Sequence, residues 1–348
     1  MRVLITGHLG YIGPVMVRTF KQAGHFVAGL DTGFFRDCLT SSDETHPDQE
    51  IIKDVRHIDA LDLSGFDCVV HLAALSNDPM GELAPQLTLE INHEGSVRTA
   101  LAAKEAGVRR FIFASSCSLY GAADTTAPLS ESAPFNPVST YAVSKVKTEV
   151  ALRELADESF SPVYLRNATA YGVSPRQRFD LVLNNLMAWA RTSGHIRVTS
   201  DGSPWRPLVH IEDISHAALC AAQAPREAVH NEAFNIGRDD ANHRVREIAE
   251  AVAWQVPGAE INITGETAGD LRSYRVSFEK AAHRLPGFRP AWTLERGCQE
   301  LNAWFDGRDE TVDSFQSRHH IRLKQLKYLL SEGRLTGNLF WTDTEAVH

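Results

Sequence analysis

The sequence predicts an α/β protein, a doubly wound parallel sheet with a smaller, discontinuous lobe. Three observations predict it. Short β-rich runs alternate with helix-length stretches through the first half of the chain. The first of those runs passes directly into a glycine-spaced turn that opens a helix. Beyond Arg166 the alternation breaks up into Pro- and Gly-bearing segments, VSPRQR, SDGSPWRPL and RLPGFRPAW.

In chain order, the predicted strands are Val3–Thr6, Phe26–Leu30, Cys68–Leu72, Phe111–Ser115 and Val163–Arg166. The predicted helices between them include Val15–Ala23, Leu87–Ala106 and Tyr141–Leu155. Strand–helix–strand units of this length imply right-handed crossovers and a sheet covered on both faces. Leu208–Ile211 and Ala233–Ile236 read as later strands that return to the main sheet. The expected division is therefore a first domain of residues 1–166 plus about 207–236. About 167–206 and 237–305 would form a lobe over the carboxyl ends of the strands. Residues 306–348 form a C-terminal extension whose apolar stretch, Ile321–Leu330, is expected to dock on the protein or on a second copy.

Composition narrows the classes. A chain of 348 residues with 43% hydrophobic residues can bury a large core. A net charge of −9 argues against nucleic acid and anionic membrane as partners. No apolar run reaches the length of a membrane span, and the chain enters its first strand with no leader-like segment. The five cysteines are scattered and show no CxxC spacing. They read as reduced thiols in a cytoplasmic protein with no metal site.

The turn is Thr6-Gly7-His8-Leu9-Gly10-Tyr11-Ile12-Gly13. Gly7 permits a tight turn, Gly10 lets the backbone approach a pyrophosphate, and Gly13 lets the helix pack close to the sheet. Asp31, at the end of the second strand, suits the hydroxyls of an adenosine ribose and repels a 2′-phosphate, which favours NAD over NADP. Arg36 nearby pulls the other way. Asp54 and Val55, after the third strand, are placed for the adenine.

Tyr141 and Lys145 in YAVSK share a helix face at a spacing of four. A phenol has an ordinary pKa near 10, and an adjacent ammonium favours the phenolate, so the pair makes a general base near neutral pH.

With these motifs in order, the sequence resembles the extended short-chain dehydrogenase/reductase superfamily, in its nucleotide-sugar epimerase and dehydratase branch. The resemblance covers about residues 1–305. It rests on TGHLGYIG, DVRH, HLAA (His71–Ala74), Asn92 with Gly95, SSCSLYG, YAVSK, LRNATAYG, WRPLVHIED and DLRSY. It implies a Rossmann-type fold, NAD as cofactor, a nucleotide-diphosphate sugar as substrate and a homodimer. It also implies Tyr141 as base, Lys145 as its tuner and ribose ligand, and Ser116 as partner of the reacting oxygen. Leu72, Ala73, Ala74 and Asn92 join the implied cofactor site. Ser118, Thr169, Arg206 and Arg272 join the implied substrate site. Asn77, Arg176 and Arg178, in segments unusual for the family, are candidate readers of the sugar.

Relatives differ in what surrounds this core. The 4,6-dehydratases carry an Asp-Glu pair where this chain has Cys117 and Ser118. Some 3,5-epimerases use a cysteine two residues before the YG tyrosine, which here is Ser118. The resemblance therefore implies 4-epimerisation through a transient 4-keto sugar. The alternative is an NAD(P)H-dependent 4-ketosugar reductase, with a dehydratase behind both. A non-catalytic protein on this scaffold would lack Tyr141 or Lys145. Where the family has asparagine in RxxNVYG this chain has Thr169, with Asn167 two residues earlier.

Overall fold

A computed structural model describes residues 1–41, 44–76, 84–122, 127–265 and 273–342. Its strands are β1 (Arg2–Thr6), β2 (Phe26–Asp31), β3 (Gln49–Ile52), β4 (Cys68–His71), β5 (Arg110–Ser116), β6 (Ser161–Asn167), β7 (Thr169–Tyr171), β8 (His195–Val198), β9 (Trp205–His210), β10 (Glu232–Ile236), β11 (Asn242–Arg244) and β12 (Glu260–Ile263). Seven form one parallel sheet in the order β3-β2-β1-β4-β5-β6-β10. The order reverses between β1 and β4, and a crevice opens at the strand ends there. Central strands β4 and β6 are buried along their whole length. This is why they read as continuous apolar runs rather than alternating ones.

One expectation is corrected. Leu208–Ile211 does not return to the main sheet. The strand Trp205–His210 instead pairs with β7 and β11 in a separate three-stranded sheet, while β8 and β12 form a two-stranded one. A short apolar strand followed by a helix satisfies either sheet, and only the tertiary path chooses between them. Ala233–Ile236 does join the main sheet, beside β6.

Each face of the sheet has its own core. Met16, Val17 and Phe20, from the helix Gly13–Gln22, pack with Ala217, Ala218 and Ala221 from the helix Ile211–Gln223. On the other face Ala100, Ala103 and Leu152 lie against Phe111 and Phe113. A third core, around Leu183, Met187, Ile248 and Leu301, fills the smaller lobe. The stretch expected as one helix over Leu87–Ala106 is interrupted. A π-helical turn, Glu90–Glu94, separates the α-helices Pro85–Leu89 and Gly95–Glu105.

The segment after residue 305 docks on the same chain. Phe315 sits in the lobe core, whereas Leu326, Leu329, Leu335 and Leu339 sit in the sheet core. The segment from Phe315 to Leu339, which includes the helix Arg322–Ser331, therefore ties the two together. Among the described residues, no helix is long and apolar enough to cross a membrane.

Candidate active site

The glycine turn behaves as its spacing requires. Gly7 has φ +76°, and a Cβ there would lie 2.8 Å from the Ala73 backbone nitrogen. A Cβ at Gly13 would lie 2.3 Å from the His8 carbonyl oxygen. The helix Gly13–Gln22 starts with Pro14 and has no side-chain cap. Its first-turn N–H groups are thus left for an anion, which the helix dipole also favours.

A cleft of about 810 Å³ runs over this turn. Of the residues singled out in the sequence, Gly7, Gly10, Tyr11, Ile12, Gly13, Asp31, Asp54, Val55, Leu72, Ala73 and Ala74 line it on the turn side. Ser116, Ser118, Tyr141, Lys145, Thr169, Arg178 and Arg206 line it on the other. Asn77 and Arg272 lie outside the described residues.

Asp31 accepts one backbone N–H on each oxygen, from Leu9 at 3.0 Å and Gly33 at 2.9 Å. A carboxylate offers about four acceptor positions, so lone pairs remain for a ribose. Arg36 turns away to Glu50, at 3.2 Å, and is not in the cleft wall. The fit is therefore to a ribose with no 2′-phosphate.

Two expectations are corrected, for Asn92 and Arg176, and a third, for Asp54, is qualified. Asn92 does not line the cleft. It is fully buried, accepts from Leu75 N at 2.8 Å, and donates to Leu75 O at 3.1 Å and Ser144 Oγ at 3.3 Å. The π-turn points this amide at the β4 loop, so Asn92 positions the helix that carries Tyr141. Asp54 stands in the wall, but its carboxylate is engaged by Arg56 N at 2.8 Å, Nε at 3.0 Å and Nη2 at 2.7 Å. Of a carboxylate's roughly four acceptor positions, about one is left for a further donor. Arg176 is buried outside the cleft, held by Glu44 at 2.8 Å and by the carbonyls of Phe35 and Arg36.

The helix Thr140–Leu155 is capped by Ser139, whose Oγ accepts from Ala142 N at 3.2 Å. Lys145 is 3% exposed. Its Nζ donates to Ala114 O at 2.7 Å and lies 5.6 Å from the Tyr141 ring centroid. Burial pulls its pKa from 10.5 down to about 7, against the opposing pull of Glu149. One turn on, buried Glu149 is paired with buried Arg166 at 2.7 Å and accepts from Ser115 Oγ at 2.6 Å. This pair locks the helix to β5 and β6 and gives Ser115 a structural role. It also leaves Glu149 little to give Lys145.

Ser116 Oγ accepts from Ser118 N at 3.1 Å, so its own O–H stays free to donate. Cys117 points the other way. It is fully buried, its Sγ donates to Arg166 O, and burial holds the thiol far above its ordinary pKa. Among the described residues, Ser118 Oγ and Asn167 Oδ1 are buried with no hydrogen-bond partner, and both residues line the cleft. Asn167 is the register partner of Ser116 across β5 and β6. Arg178 lines the cleft but is paired with Asp180 at 2.8 Å. His210 and Asp213 close the strand-to-helix turn, His210 Nδ1 accepting from Glu212 N and Asp213 from Ala291 N and Trp292 N. The wall also contains Arg197, Gln316 and Arg322, which sequence reasoning missed. The last two come from the extension, where nothing local marks them as cleft residues. Among the described residues, no His, Cys, Asp and Glu cluster has the makings of a metal site.

A phosphate turn, a ribose acid and a Ser-Tyr-Lys set on one cleft define a dinucleotide-dependent enzyme of the extended short-chain dehydrogenase/reductase type. The family model "NAD dependent epimerase/dehydratase family" matches residues 3–237, and the chain belongs to that family. NAD is its cofactor. A UDP-glucose 4-epimerase of Mycolicibacterium smegmatis is 30% identical over 89% of this chain and 100% of its own length. The solved structure of MoeE5 in complex with UDP-glucuronic acid and NAD is 27% identical, with a TM-score of 0.76, over 87% of this chain and 98% of that one. The NAD-dependent NDP-hexosamine 5,6-dehydratase TunA is 25% identical, with a TM-score of 0.78, over 89% of this chain and 99% of that one.

Proposed function

We propose that the protein is a nucleotide-diphosphate-sugar 4-epimerase that recycles its hydride. NAD bound in the cleft supplies the hydride acceptor and donor. The residues do the proton work. Tyr141 takes the proton of the sugar 4-hydroxyl as that carbon is oxidised, and returns it when the 4-keto sugar is reduced on its other face. Lys145, when charged, favours the phenolate. Ser116 donates to the reacting oxygen and holds it in line. Arg206, with Arg272 outside the described residues, is assigned to the diphosphate, for which a guanidinium is well shaped.

One observation carries the reading. Positions 117 and 118 offer a buried thiol and a hydroxyl in place of the acid pair of a 4,6-dehydratase, and Asp180 in the wall is tied to Arg178. The curated relatives named UDP-glucose 4-epimerase support the same reaction. We also assign a homodimer and a cytoplasmic location. Leu101 and Val150, each about half exposed on the helices Gly95–Glu105 and Thr140–Leu155, support a shared apolar face. Five buried free cysteines suit a reducing compartment.

The test is to denature freshly purified protein, identify the nucleotide released, and then assay UDP-sugars for 4-epimerisation. Bound, mostly oxidised NAD with interconversion of epimers is expected. An empty protein that consumes NADPH stoichiometrically with a 4-keto sugar would replace the epimerase with the reductase.

A further inference from the structure

The C-terminal extension reaches the cofactor side of the cleft. Arg322 lines the cleft yet is 1% exposed. Its guanidinium donates to two backbone carbonyls, Nη1 to His319 at 3.1 Å and Nη2 to Arg176 at 2.7 Å. Among the described residues it makes no ion pair. The charged and titratable groups around it include Cys38, Arg176, Arg178, Asp180 and His320. Arg176 is already matched by Glu44, and Arg178 by Asp180. Among the described residues, one buried positive charge is therefore left at the cleft wall without an ion-pair partner of its own, and burial pulls its pKa down to about 10 against the pull of Cys38 and Asp180. A desolvated guanidinium without a counter-ion is costly unless a ligand supplies the anion.

The surroundings identify that ligand. Arg322 Cζ lies 5.0 Å from the ring centroid of Phe35, in the loop that follows Asp31. The extension holds the same loop at several other points. Gln325 Nε2 donates to Phe34 O at 3.1 Å, and Trp341 Nε1 donates to Thr32 O at 2.7 Å. It also holds the loop after β3, where Phe340 stacks on His57 at 5.1 Å and Arg56 donates to the carbonyls of Asn338 and Leu339. These two loops are the walls of the adenosine half of the cleft, since they carry Asp31, Phe34 and Val55.

We propose that residues 306–342 form a cofactor clasp, in which Arg322 supplies the positive charge for the diphosphate of NAD and Trp341 and Phe340 hold the loops of the adenosine half closed. The ligand chemistry is a diphosphate, and the sugar nucleotide carries one too. The contacts with the loop after Asp31 put Arg322 on the cofactor side of the cleft, so the cofactor's diphosphate is the one proposed. The proposal rests on the cleft being the NAD site.

The experiment follows NAD release from the full-length protein loaded with labelled NAD and chased with unlabelled NAD, for wild type, Arg322→Gln, Arg322→Lys and Trp341→Ala. Arg322→Gln should speed release by about 10- to 100-fold, the scale of one lost charge-assisted hydrogen bond. Arg322→Lys should recover part of that loss, and KM for the sugar nucleotide at saturating NAD should stay unchanged. The thermal midpoint of the cofactor-free variant should hold or rise, while its increase on adding NAD shrinks. Trp341→Ala, away from the charge, should also speed release. Unchanged release in both Arg322→Gln and Trp341→Ala overturns the clasp. So does a raised sugar-nucleotide KM with NAD release untouched, which would move Arg322 to the substrate. A wild-type protein that binds no NAD at all overturns both the clasp and the function above.

Discussion

Replacing Lys145 by methionine should make the cofactor-free protein more stable and nearly inactive. The lysine is buried, with one backbone acceptor at 2.7 Å and an aromatic ring, Phe113, at 4.7 Å. Its pKa falls from 10.5 to about 7. At 1.36 kcal/mol per unit, that shift corresponds to a cost of about 5 kcal/mol for keeping the ammonium in the fold. Methionine matches the aliphatic stem and gives up the hydrogen bond, worth about 1 kcal/mol, so the expected net gain near pH 6 is ~1–4 kcal/mol. The pH dependence has a definite sign. Between about pH 7 and 10.5 the unfolded lysine binds a proton that the folded one does not, so wild-type stability rises with pH across that window. The advantage of the variant is therefore full below pH 7 and gone above 10.5. Urea unfolding of both cofactor-free proteins at pH 6, 8 and 10 measures it, and kcat should fall by about 10²- to 10⁴-fold. A variant less stable than wild type at pH 6, or an advantage that stays constant with pH, would refute the account of Lys145 as a desolvated cation.

Other expected outcomes test the remaining parts of the site. Tyr141→Phe should abolish turnover while NAD binding, read by equilibrium dialysis, stays within a few-fold of wild type; turnover near wild type would remove Tyr141 as the base. Cys117→Ala should leave kcat within about threefold, because the thiol is buried against Arg166 O rather than facing the cleft; a large loss of kcat with normal folding would reinstate it as a reacting group. His71 is buried between Thr6 Oγ1 and Ser96 Oγ, each at 2.8 Å, and burial with nearby Lys145 lowers its pKa to about 3. The unfolded imidazole binds protons first on acidification, so this group withdraws stability as pH falls from about 6.5 toward 3. Denaturation curves of His71→Gln should flatten over that range, and an unchanged slope would exclude His71 as a source of acid lability. Glu149→Gln should destabilise the fold by about 3–5 kcal/mol, since it leaves buried Arg166 without its anion; a thermal midpoint equal to wild type would contradict that role.

The sequence by itself determined the parts governed by local rules. Strand–helix alternation, the Gly7, Gly10 and Gly13 spacing and the Tyr141–Lys145 interval each follow from backbone sterics or helical period. Each of those residues lines one cleft in the folded chain. Tertiary structure decided what depends on which long-range partner wins. The strand Trp205–His210 suits two sheets equally by pattern, and the lobe claimed it. Asp54 and Asn92 are polar residues in suitable places. Arg56 took most of the carboxylate of one, which stays in the cleft wall, and the Leu75 backbone took the amide of the other. No local signal distinguishes Arg322 from the other cations of its amphipathic helix. It becomes a cleft residue only because Leu326 and Leu329, on the same helix, bury themselves in the sheet core. Hydrophobic burial acts over the whole chain and is non-directional, so it sets where that helix docks, and with it which charge faces the cofactor.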